Sequence, residues 1–174
     1  MSNPLRRGGG FTLIEVMVSL VILSIGLLGV AKLVMLSSHS NDSAYLRSQA
    51  TALAYEILDD MRANRNTALA QGYDSTLAAG AAPVNPGFSC AGTGNPCSVP
   101  ANLALYDVYA WQTRLQTALP GAAASVVTVA PPGFTSTTAT IIVSWNDAVA
   151  ESAFGAVADG TAVASQNVTL ETVL

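Results

Sequence analysis

The residues best placed to do chemistry lie near the start of the chain, in Arg6-Arg7-Gly8-Gly9-Gly10-Phe11-Thr12-Leu13-Ile14-Glu15-Val16. Glycines stand immediately before a long apolar run, so a peptidase working at a membrane surface meets a flexible, uncrowded bond between Gly10 and Phe11. Glu15 follows four residues after the phenylalanine, inside the apolar run. A carboxylate in that setting costs at least about 2.5–3.5 kcal/mol on insertion scales, and such groups normally have a partner. Cutting at Gly10–Phe11 would create one, because the new α-amino group on Phe11 is protonated near neutral pH. Phe11 and Glu15 stand at i and i+4, on one face of a helix. The same amine in a neighbouring chain serves equally well if neighbours are staggered by about one turn. Lys32, the other charge in the run, is near its far end and can snorkel to the interface.

Elsewhere the chemical inventory is thin. The 174 residues contain one histidine, His39, and no nucleophile elbow, phosphate-binding loop or dinucleotide-binding glycine pattern, so no enzyme and no cofactor is expected. Seven basic and eleven acidic residues give a net charge of −4. Losing Arg6 and Arg7 with residues 1–10 would leave five bases against eleven acids, or −6. No basic stripe exists, which argues against a nucleic-acid partner. Cys90 and Cys97, close together in a loop-like segment, read as a disulfide worth roughly 2.5 kcal/mol. A metal site is the rival reading, but zinc needs about four ligands and the sequence offers no such set. Asp59 and Asp60 are adjacent and read as a solvated helix face.

Residues 11–36 hold only two charges and would span about 39 Å as a helix, against a hydrocarbon core of about 30 Å. The helical pattern continues over 37–65. Leu46, Ala50, Leu53, Ala54, Ile57, Leu58 and Met61 form one apolar stripe among polar residues. No proline interrupts 11–65, although Ser, His, Asn and Asp crowd together at Ser37–Ser43 and could bend or loosen the helix. Residues 66–100 read as loop. A short helix follows, with Ser98 as N-cap, Pro100 in its first turn and Pro120-Gly121 as its stop. Ala104, Val108, Trp111, Leu115 and Leu119 form its apolar stripe, and Tyr106, Tyr109 and Trp111 read as core packing. Segments rich in Val, Ile and Thr at Ser125–Ala130, Thr138–Trp145 and Asn167–Leu174 read as strands, with turns at Pro131-Pro132-Gly133 and around Gly155–Gly160. The expectation is an α+β chain in four parts: a leader over 1–10, a membrane-spanning helix over 11–36, its amphipathic continuation over 37–65, and a head over 66–174 built on a small antiparallel sheet.

Two simpler readings of the N-terminus compete with the cut at Gly10. A secretory signal would be cut after Gly29-Val30-Ala31, and a plain anchor would not be cut at all. Neither has a use for Glu15. Gly-Phe-Thr-Leu-Ile-Glu-Val instead resembles the prepilin (class III) signal shared by type IV pilins and the pseudopilins of type II secretion. The resemblance implies cleavage after Gly10 and N-methylation of Phe11 by one membrane enzyme, a prepilin peptidase and N-methyltransferase. It also implies a role for Glu15 in registering subunits during assembly, and a fold in which a long N-terminal helix packs on an antiparallel sheet. Val16–Ala31, above all Ile25-Gly26-Leu27-Leu28-Gly29, is similar to the type IV pilus modification group of minor pilins (PilV), as is the run Asn95-Pro96-Cys97-Ser98 with Leu105-Tyr106-Asp107 and Trp111-Gln112. The helix lacks the proline that major pilins often carry about twenty residues in. The narrower resemblance implies an inner-membrane subunit with a periplasmic head that joins other minor pilins and the major pilin, at the pilus tip beneath a large adhesin, to prime assembly and support twitching motility and adhesion. A minor pseudopilin of a type II secretion system is the alternative, and a membrane-anchored binding module that never polymerises is a third.

Overall fold

The computed structural model describes residues 10–91, 94–130, 136–147 and 165–174. Helix α1 runs over Leu13–Ala63, followed by a short α2 at Arg65–Leu69, strand β1 at Ser75–Leu77, a 3₁₀ turn at Pro96–Ser98, helix α3 at Pro100–Ala118, and strands β2 at Ala123–Val129, β3 at Thr138–Asn146 and β4 at Ser165–Val173. The four strands form one antiparallel sheet in the order β1-β2-β3-β4. The chain divides into two compact units, residues 1–39 and 40–174. The division falls inside Ser37–Ser43, the stretch expected to loosen the helix, although the helix itself is unbroken there. The turns expected at Pro131–Gly133 and Gly155–Gly160 lie outside the described residues, as do residues 1–9.

Within the first unit, α1 is apolar on every side and exposed on every side. The two serines in its apolar stretch have hydroxyl partners: Ser19 Oγ donates to the Glu15 carbonyl and Ser24 Oγ to the Leu20 carbonyl, both at 2.7 Å. Hydroxyls that fold back on the preceding turn are the form in which serine is compatible with an apolar medium.

Within the second unit, the stripe read from the sequence is the core. Ala50, Leu53, Ala54, Ile57, Leu58 and Met61 are buried, with Leu46 packed at their edge. Each large member contributes about 1.5–3 kcal/mol of burial. Ala104, Trp111, Leu115 and Leu119 meet them from α3. Trp111 donates its indole N–H to the Leu53 carbonyl at 2.8 Å, which fixes the register of α3 on α1. The strands alternate with period two, so Ala124, Val126 and Thr128 of β2 and Ala139, Ile141, Val143 and Trp145 of β3 share the buried face. On β4, Val168 and Leu170 stand opposite Val143 and Ile141 and pack against the same core.

Several boundaries differ from the sequence reading, each for a local reason. Helix α1 starts at Leu13 rather than Phe11, because Thr12 caps it: Oγ1 of Thr12 accepts the Glu15 N–H at 3.3 Å and its carbonyl accepts those of Glu15 and Val16. At the other end Asn64 leaves the helical conformation, donating its side-chain N–H to the Pro100 carbonyl at 2.7 Å while its Oδ1 accepts from Thr67 Oγ1 at 2.8 Å. The N-cap of α3 is Val99, without a side-chain cap, and Ser98 belongs to the 3₁₀ turn, whose cap is Asn95 accepting the Cys97 N–H at 3.0 Å. Strand β1 lies in a segment that reads as loop, since three residues carry too little alternation to reveal a strand. Of the three aromatics on α3, only Trp111 is in the core; Tyr106 and Tyr109 are half-buried.

Candidate functional site

The N-terminal site is simple in build. Gly10, Phe11 and Thr12 precede the helix, all exposed. The glycine has nothing within 4 Å of where a Cβ would sit, so the Gly10–Phe11 bond is open to approach from that side. Thr12 and Glu15 stand as N-cap and third helical residue, the threonine–glutamate spacing of a capping box, and Glu15 lies in the first turn, where the helix dipole favours a negative charge. That spacing was visible in the sequence and explains why the helix begins where it does. Because α1 begins at Leu13, Phe11 does not share a helical face with Glu15 in this uncut chain, and the structure forms no bond between them. The Glu15 carboxylate has no hydrogen-bond or ion-pair partner among the described residues. Sixteen residues of uncharged, exposed helix follow it before Lys32 is reached, and α1 is the one helix among the described residues long and apolar enough to cross a membrane.

Cys90 and Cys97 are joined in a disulfide, with their Cα atoms 5.3 Å apart. The closed loop is tied to α3 through Asn102, which donates its side-chain N–H to the Pro96 carbonyl at 3.0 Å. Cys97 is buried and Cys90 half-buried, so the bridge anchors a long connection to the core.

Asp59 and Asp60 separate sharply. Asp59 is exposed and pairs with Arg62 at 3.4 Å. Asp60 is not on a solvated face: it is partly buried where α1 meets α3, and its pKa is pushed up to about 6 by burial, then by the negative charges of Asp107 and Glu56. Asp107 is also raised, by burial first, with a hydrogen bond from Tyr73 and the charge of Arg114 acting against it. The Tyr73 hydroxyl donates to Asp107 Oδ2 at 2.8 Å, and burial drives the Tyr73 pKa far upward, so it stays a donor. Arg114 closes the group with a short ion pair to Glu56. Asp107 is thus held by Tyr73, whereas the Asp60 carboxyl has no hydrogen-bond or ion-pair partner among the described residues and Tyr73 reaches only its main-chain carbonyl, at 3.3 Å. No group of His, Cys, Asp and Glu among the described residues is placed to hold a metal ion.

Residues 5–31 match the family model for the prokaryotic N-terminal methylation motif. The match spans Gly10, Phe11 and Glu15 and ends before Lys32. No curated protein and no solved structure matches the chain. The fold, a long N-terminal apolar helix with a small four-stranded antiparallel sheet, is consistent with the type IV pilin fold. A pilin-type signal points to a structural subunit rather than an enzyme. The motif, the exposed apolar helix behind it and the sheet-bearing second unit together support a type IV pilin-like subunit, processed by a prepilin peptidase, anchored in the inner membrane and assembled with other pilins.

Proposed function

We propose that this chain is a minor pilin of a type IV pilus, cut between Gly10 and Phe11, methylated on the Phe11 nitrogen, and carried into the filament with its head on the periplasmic side. The observation that carries the proposal is the Glu15 carboxylate. It stands without a partner among the described residues, one turn from the cut bond, within the matched motif, on a helical stretch otherwise uncharged from Leu13 to Ala31. Cleavage supplies the missing cation. Since Phe11 precedes the first turn of α1, the amine that best answers Glu15 belongs to an adjacent chain shifted by about one helical turn. Attraction between full charges in a low-dielectric interior is strong, little screened and greatest at contact, so it selects one register among many apolar ones that differ little in energy. Processing and assembly then become one electrostatic event: an uncut chain has no amine to offer its neighbour.

The methylation motif suits a type II secretion pseudopilin as well as a pilin. The pilus reading is favoured by the resemblance of Ile25–Gly29 and of the Asn95–Gln112 region to pilus modification proteins, which also supports membership in a priming complex at the pilus tip with a role in twitching and adhesion. Deleting the gene and scoring surface pili and secreted enzyme activity side by side tests the choice. Loss of pili with normal secretion is expected; unchanged pili with lost secretion would replace the pilus with the secretion system.

A further inference from the structure

Helix α3 places Gln112 among core residues, only 4% exposed, and its amide has no hydrogen-bond partner among the described residues. Its amide atoms are not among the sealed polar atoms of the core, so they open on the space beside α3. Gln112 lines a cavity of about 350 Å³ bounded by β1, α3 and the 84–86 loop. Ser75 lines the same cavity, and its hydroxyl oxygen is buried and likewise unpaired. The mouth is apolar, with Val84 84% and Leu105 53% exposed. Asp74 also borders the space, but its Oδ1 is held by the Thr128 N–H at 2.9 Å and the Thr128 hydroxyl at 2.7 Å.

Strand β1 is the outermost strand of the sheet. The Thr128 N–H points to the β1 side, where it meets Asp74, so by alternation those of Val126 and Ala124 do too. Their opposite residues, Ser75 and Leu77, therefore bond to β2, and the N–H and C=O of Thr76 face the outer edge, where no strand among the described residues pairs. Thr76 borders the cavity as well. Edge and cavity thus form one continuous receptor, with a main-chain donor and acceptor outside and a side-chain amide and hydroxyl within.

We propose that this receptor binds an extended peptide segment of another polypeptide. The segment adds along the outer edge of β1, pairs its main chain with Thr76, and inserts one uncharged carboxamide side chain between Gln112 and Ser75. Strand addition of this kind draws affinity from the main chain and specificity from pockets that receive alternate side chains. A carboxamide offers the donor and acceptor that Gln112 lacks. The described lining residues include no Lys, Arg or His to receive an anion, and no aromatic ring on which a sugar could stack. The bordering Asp74 further disfavours a carboxylate. The inference rests on the second unit alone and stands apart from the pilin reading.

The test titrates the full chain in detergent micelles with the capped pentapeptide acetyl-Thr-Val-Gln-Val-Thr-amide and with versions carrying Leu or Glu at the centre. The Gln peptide should bind about fivefold or more tightly than either, the effect of one hydrogen bond. Gln112→Leu should erase that preference while leaving the melting temperature unchanged or higher, because its amide makes no hydrogen bond among the described residues that would be lost. No binding, equal binding of the three peptides, or a melting temperature lowered by Gln112→Leu would each overturn the proposal, the last by showing that the amide supports the core.

Discussion

The two halves of α1 obey opposite rules. From Leu13 to Leu36 the helix is apolar on all sides, exposes nearly all of that surface, and carries two charges. From Leu46 to Met61 it is apolar on one stripe only and buries that stripe against α3 and the sheet. The first half has no protein core around it among the described residues; a lipid or subunit environment must take its place. Apolar contacts there are interchangeable, so under the proposed function register falls to the lone carboxylate. In the second half, shape specifies the packing, and charge does little beyond the network around Asp60. On the proposed function one helix would use two sources of specificity, electrostatic where the surroundings are uniform and steric where they are not.

If that contrast is right, the largest single-residue effect should come from Glu15. Glu15→Ala should leave cleavage intact but reduce incorporation into filaments by about tenfold or more, the scale of an unanswered charge in a low-dielectric interior. Quantifying the subunit in sheared filaments against the membrane fraction measures it; normal incorporation would end the electrostatic half of the contrast. The steric half is probed by Trp111→Ala, which removes the largest fully buried side chain together with its bond to the Leu53 carbonyl. Denaturant unfolding in micelles should show a loss of about 3–5 kcal/mol. Replacing both cysteines with serine should cost about 2.5 kcal/mol in the same assay and leave membrane insertion unaffected.

The smallest expected effect concerns Asp60. Its pKa rises from 3.8 to about 6 on folding, so the folded state holds the proton more tightly than the unfolded chain. The stability this provides is present below about pH 4 and is lost as the pH rises through about 6. Asp60→Asn should therefore flatten the stability profile between those values and raise stability at neutral pH by about 1 kcal/mol, after allowing for solvent screening. A parallel profile for wild type and variant would show that the two carboxylates are better solvated than their placement suggests.

Much of this was legible in the residues. The stripe from Leu46 to Met61 and that from Ala104 to Leu119 are long enough for periodicity to be unambiguous, and three of the four strands alternate over seven to nine residues. What escaped was decided by single long-range contacts. Asn64 ends α1 by bonding to Pro100, thirty-six residues away. Asp60 looked solvated because its burial is created by Asp107 and Tyr73, on elements that sequence spacing does not bring near. Gln112 stands one residue after Trp111 and reads as the polar flank of a helix; only the cavity beside it gives its amide a meaning. At the N-terminus the reverse holds. The matched motif at residues 5–31 is a matter of local spacing and was legible in the sequence, whereas the start of the helix at Leu13 was not.

The central claim is that the chain is cut beside Phe11 so that a new cation can answer Glu15. Intact mass spectrometry of the subunit recovered from the cell envelope tests it most directly. A mass equal to Phe11–Leu174 with its disulfide closed and one added methyl group is the expected result. A chain beginning at Met1 or at Lys32 would contradict it.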